Sequence, residues 1–108
     1  MAVGGTAAIG VIRRGIPGGA ADLSTLAQSH GCDLRFTVIL DVGPLVAGLV
    51  VRQHIYEFSA VAVVVPGFEH VDSVRHVVTE LAALITPMQL YPRGYRWAVL
   101  PDAGQARS

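Results

Sequence analysis

Val61-Ala62-Val63-Val64-Val65-Pro66-Gly67 is the stretch on which the fold turns. Five small or β-branched apolar residues without a polar one among them cannot form a strand with one wet face. The run is also too short for a helix of its own, and Pro66-Gly67 stops it. It reads as a strand covered on both faces, which is the habit of parallel sheets.

Working back from it, residues 45–57 carry Leu45, Leu49, Arg52-Gln53 and Tyr56 at helical spacing, behind a turn at Asp41-Val42-Gly43-Pro44. Pro44 suits a first helical turn. Residues 33–40 (DLRFTVIL) read as a strand, with Leu34, Phe36, Val38 and Leu40 alternating against Arg35 and Thr37. Residues 20–30 have the start and stop signals of a helix, with Asp22 as N-cap and Gly31 beyond the end. Residues 6–12 (TAAIGVI) form the first strand.

Working forward, residues 72–84 place Val74, Val77, Val78, Leu81 and Leu84 on one stripe, an amphipathic helix capped by Asp72 or Ser73. Residues 87–91 (PMQLY) read as a short fourth strand, residues 95–100 (YRWAVL) are the candidate for a fifth, and residues 101–108 read as a frayed tail. The alternation predicts a single three-layer α/β/α domain with a mainly parallel sheet in the order 2-1-3-4, the fifth strand being antiparallel if it forms. In such sheets sites form beyond the carboxyl ends of the strands. Residues 13–19, 41–44 and 66–72 should meet there.

Composition narrows the function. The 108 residues are 52% hydrophobic and 15% charged, mostly Val, Ala and Leu, and such a chain has little polar surface to cover its core. A homo-oligomer or a protein partner is therefore expected. Eight basic residues, all Arg, balance eight acids, so the excess charge of a sequence-tolerant nucleic-acid binder is missing. No apolar run is long enough to span a membrane, and no secretory signal is evident, which makes a bacterial cytoplasm the expected compartment. Cys32 stands alone, so no intrachain disulfide forms, and it reads as a small core residue. No cofactor is implied.

The loop Arg13-Arg14-Gly15-Ile16-Pro17-Gly18-Gly19 admits three readings: a phosphate-binding turn, the remains of a nucleophile loop, or a plain strand-to-helix connection. Neither a Walker-type Gly-Lys-Ser/Thr nor G-x-G-x-x-G occurs, and Pro17 removes one backbone donor. Read together, "IGVIRRG" and "AVVVPGFEHVDS" resemble the catalytic domain of serine recombinases, the resolvase–invertase family, over about residues 8–91. That family's first strand reads like I-G-Y-x-R-V-S and its third ends like V-V-x-x-L-D-R-L-G-R.

The resemblance implies a resolvase-like fold with a vestigial, anion-binding pocket of Arg13, Arg14, Gly15, Glu69 and His70. Arg13 matches the arginine that contacts the scissile phosphate, and Arg14 the aliphatic position after it. Gly15 stands where the nucleophilic serine would be. Phe68 and Glu69 match the leucine and aspartate of the second motif, while His70 and Ser73 replace arginines. The arginine expected early in the helix after strand two has no counterpart in residues 41–45. Phosphoryl transfer needs a nucleophile and clustered positive charge, so DNA strand exchange is not expected. The recombinases' long dimer helix and helix-turn-helix module are also outside the 108 residues.

Other chemistry is thin. Ser24 and Ser73 sit at helix starts, where capping is the usual task. His70 and His76 do not share a helical face, so no metal site is expected from them with Asp72. Residues 91–97 interleave aromatics with arginines, and Tyr91, Tyr95, Arg96 and Trp97 are the interface candidates; base stacking is the alternative. Three functions follow in order: a non-catalytic interaction or self-association module, a small-ligand or nucleotide-phosphate sensor at the loop edge, and an enzyme using Glu69 and His70 as acid–base partners.

Overall fold

Residues 61–65 lie near the middle of the sheet, as their composition requires. The computed structural model describes residues 6–17 and 22–97. In chain order these form β1 (Thr6–Arg13), α1 (Leu23–Ser29), β2 (Cys32–Leu40), α2 (Pro44–Phe58) and β3 (Ala62–Val64). Two single-turn 3-10 helices, Phe68–His70 and Asp72–Val74, precede α3 (Arg75–Leu81), β4 (Ala83–Ile85) and β5 (Leu90–Tyr91). The sheet order is β2-β1-β3-β4-β5, parallel except for the antiparallel β4–β5 pair.

β3 is buried on both sides. Val63 and Val65 point toward α2 and α3, packing with Ile9, Val11, Leu40 and Leu84. Ala62 and Val64 point toward α1, packing with Ala8, Leu23, Ala27 and Ile85. The hydrogen-bonded run extends past the strand proper, since Val61 N–H donates to Ala7 O at 2.8 Å and Val65 N–H to Ile85 O at 3.0 Å. One helix on one face and two on the other make a three-layer α/β/α sandwich.

Small residues set the α1 layer. At Gly10 a Cβ would lie 2.8 Å from Leu23 Cδ1 and 3.0 Å from Thr37 Oγ1, so the helix sits directly on the backbone of β1. Asp22 caps α1: Oδ1 accepts from Thr25 N–H at 3.0 Å and Oδ2 from the Thr25 hydroxyl at 2.6 Å. Gly31 follows the helix with φ +75°, the left-handed turn that favours glycine. The helix expected from residue 20 starts at Leu23, and residues 18–21 lie outside the described residues.

The Thr25 side-chain bond, then its backbone bond, hold the Asp22 carboxyl below its ordinary 3.8. A depressed acid stabilises the fold above its unfolded value, and that contribution disappears as pH falls through the lower folded value. Asp22→Asn should therefore flatten the fall of melting temperature below pH 3.8, measured by circular dichroism against the parent.

β2 departs from the expected alternation. Its register with β1 slips between Ala8, opposite Leu34, and Ile9, opposite Phe36, leaving Arg35 as an extra residue. A bulge reverses the facing of everything after it. Leu34 thus packs on the α1 side, while Val38 and Leu40 join the α2 side. Phe36 stacks on His54 and Phe58 of α2, with ring centroids 5.4 and 5.3 Å away.

α2 buries Ala47, Gly48, Val51 and Ile55. It meets α3 at Gly48, where a Cβ would make ordinary contact with Val77 Cγ2 at 3.5 Å. Gly48→Ala therefore has room, and it removes a helix-interior glycine worth about 0.5–1 kcal/mol against alanine. Urea unfolding should show a gain of that size.

The expected helix over residues 72–84 is corrected. A 3-10 turn occupies Asp72–Val74, α3 is only Arg75–Leu81, and Ala83–Ile85 is the fourth strand. No side chain caps α3; the Asp72 carboxylate instead pairs with Arg75 at 3.1 Å. The strand expected at residues 87–91 is the short β5, returning antiparallel after a turn closed by Thr86, whose hydroxyl oxygen accepts from Gln89 N–H at 3.0 Å. Residues 95–97 do not continue a strand, and residues 98–108, including the rest of that candidate and the expected tail, lie outside the described residues.

Candidate functional site

β1 ends at Arg13, and the chain turns away at the carboxyl edge. Arg14 N–H still reaches Leu40 O at 2.8 Å, and Ile16 N–H closes the turn onto Arg13 O at 3.3 Å. Gly15 holds φ +89° with nothing near its missing Cβ. Any side chain there would be strained by the backbone rather than by crowding. Gly15, the residue without a hydroxyl, thus forms a left-handed turn at the strand's end.

His70 is delivered to this turn by the 3-10 helix after β3. Its ring is 1% exposed. Arg13 N–H donates to Nδ1 at 2.9 Å, so Nδ1 is an acceptor and the ring proton sits on Nε2. Nε2–H then donates to Pro17 O at 2.9 Å. Both nitrogens are spent tying residues 13–17 to the sheet edge, and neither faces a substrate.

The Arg13 side chain crosses to the other loops. Nη1 donates to Val42 O at 3.1 Å and Nη2 to Ser73 Oγ at 3.3 Å, beside the start of α2. Residues from all three expected segments therefore converge, through Arg13, Val42 and His70. Arg14 leaves the group, pairing at 3.4 Å with Asp41 on the open surface. Glu69 is exposed and its carboxylate folds back against Gly67. It forms no ion pair among the described residues. The chemistry present is a guanidinium with donors to spare next to a hydroxyl, which can hold an anion. Ser73 has no base within this arrangement, because His70 is fully engaged.

The aromatic candidates gather elsewhere. Tyr91, Tyr95 and Trp97 pack against one another with centroids 4.8–5.1 Å apart, and Phe68 joins Trp97 at 5.4 Å. Trp97 Nε1–H donates to the buried Thr79 hydroxyl at 2.9 Å, and the Arg75 guanidinium lies 5.6 Å from the indole. This cluster fastens residues 91–97 onto α3. Tyr95 stays 38% exposed, and Arg96 faces out.

The larger apolar surface lies on α2. Leu45, Leu49 and Tyr56 are 81%, 59% and 61% exposed, and Val46 adds to them. Leu45 and Leu49 border a groove of about 440 Å³ between α2 and α3, walled also by Gly48, Arg52, Val77, Glu80 and Leu81. Spacing identified the helix but not its outward face; the signal was the set of small or β-branched residues at 47, 48, 51 and 55, which suit a close-packed sheet. A smaller recess of about 400 Å³ lies between α3 and residues 94–97.

Among the described residues no three His, Cys, Asp or Glu side chains are grouped as metal ligands would be, and no helix is long and apolar enough to cross a membrane. In comparisons with known proteins the chain matches no family model, no curated protein and no solved structure.

Proposed function

We propose that the chain is a non-catalytic, resolvase-like domain of the bacterial cytoplasm that works as a protein-interaction and self-association module. The observation that carries this reading is the outward apolar face of α2, with Leu45, Val46, Leu49 and Tyr56 in water along one helix. Contiguous apolar surface of this kind marks an interaction site in a folded domain. The exposed edges of Tyr95 and Arg96 offer a second contact. The pocket reading draws support from the left-handed Gly15 and from His70, whose nitrogens are occupied by backbone groups.

Arg13 beside Ser73 favours one second reading, a phosphate or nucleotide sensor at the loop edge. Thermal unfolding separates the two. An interaction module melts at a temperature that rises with its own concentration and is indifferent to phosphate, nucleotides and DNA oligonucleotides. A rise of several degrees with one nucleotide, abolished by Arg13→Ala, would establish the sensor instead.

A further inference from the structure

We infer that the occupant of the α2–α3 groove is a second copy of this chain, docked with its own α2 antiparallel across a twofold axis. The inference rests on the self-association reading and gives it a surface and a register. Along the outward face, Leu45, Leu49, Arg52 and Tyr56 recur at steps of four, three and four. That is the a/d rhythm of a two-helix seam, with one charged residue in it.

Charge decides the direction. A parallel pair would set Arg52 against Arg52 in a seam that excludes water. An antiparallel pair sets Leu45 against Tyr56 of the second copy and Leu49 against its Arg52, so the two guanidinium groups separate. Arg52 and Glu80 border the same groove, yet among the described residues neither has an ion-pair partner; Arg52 lies over its own Tyr56 ring at 5.8 Å. In the antiparallel dimer each Arg52 enters the groove that the other copy's Glu80 borders. The twofold makes that pair reciprocal, as an isologous interface demands. A face with one acid and one base, in a chain of zero net charge, complements itself.

The α3 wall matters because α2 alone is narrow. Fifteen residues span about 22 Å, and a stable pair buries about 800 Å² from each partner. The groove receives the second copy's side chains against Val77 and Leu81 and so widens the contact beyond one helix.

The test uses the full chain with Cys32→Ser, carrying either Leu45→Cys or Tyr56→Cys, positions that lie about 16 Å along the seam from their own copies in the antiparallel register, under mild oxidation. The expected result is a disulfide between the two variants in a mixture, with neither crosslinking to itself. Self-crosslinking of Leu45→Cys would overturn the antiparallel register. In parallel, Arg52→Glu and Glu80→Arg should each weaken the dimer about tenfold, and the double variant should recover most of the loss. Failure of the double variant to recover would remove the reciprocal pair. A parent dimer with no 45–56 crosslink would overturn this interface while self-association stood, whereas a parent that is monomeric throughout would end both.

Discussion

His70→Ala should lose about 3 kcal/mol of stability, roughly 15 °C in melting temperature for a domain of this size. Three losses combine. The ring fills space that is closed to water, so its removal leaves a cavity. Arg13 N–H loses its acceptor and Pro17 O its donor, two hydrogen bonds at a half-buried edge worth about 1 kcal/mol each. The turn of residues 13–17 should loosen with it, seen as faster amide exchange at Arg13. A nitrogen-15 spectrum of the parent should show Nδ1 without a proton. A variant within about 1 kcal/mol of the parent would mean that the histidine does not hold this edge together.

Gly10→Val is the second large loss, expected at about 2–3 kcal/mol in denaturant unfolding. Its Cβ would press into Leu23 Cδ1 and the Thr37 hydroxyl, and both γ-methyls would then enter a layer with no spare volume. Gly10→Ala should cost less, because the end of the Leu23 side chain can turn aside. Set beside Gly48→Ala, it shows one residue type doing opposite jobs. Gly10 is required by a close approach, while Gly48 leaves room for a methyl.

Most of the architecture could be read from residue patterns, for reasons that particular elements make plain. Residues 61–65 could be only a doubly covered strand, and once that was placed the alternation of elements gave a parallel sheet. The errors arose where two periods coincide. Leu81 and Leu84 are three apart, so Ala83–Ile85 continued the stripe of α3 although it is a strand. A three-residue strand has too few positions to display a period of two. The Arg35 bulge left no mark either, since it depends on pairing with β1 rather than on β2 itself.

The candidate site was harder to read. Loop positions followed from topology, and Arg13, Val42 and His70 do meet at the carboxyl edge. What the side chains do there depended on burial. As a loop residue next to Glu69, His70 suggested acid–base chemistry, but packing turned it inward and Glu69 outward. The aromatic run at residues 91–97 suggested an exterior anchor, yet Thr79 draws Trp97 back onto α3. The exposed face of α2 was hidden for the converse reason: its leucines look like core until Ala47, Gly48, Val51 and Ile55 are seen to fill that role.

Self-association through α2 is the central claim, and sedimentation equilibrium of the parent chain beside Leu45→Glu/Leu49→Glu tests it most directly. Both leucines are exposed within a single chain, so the variant should keep the parent's circular dichroism spectrum. The parent should pass from the mass of one chain to that of two as concentration rises, while the variant stays at one. A parent that remains a single chain at every concentration, or a variant that pairs as well as the parent, would contradict the account.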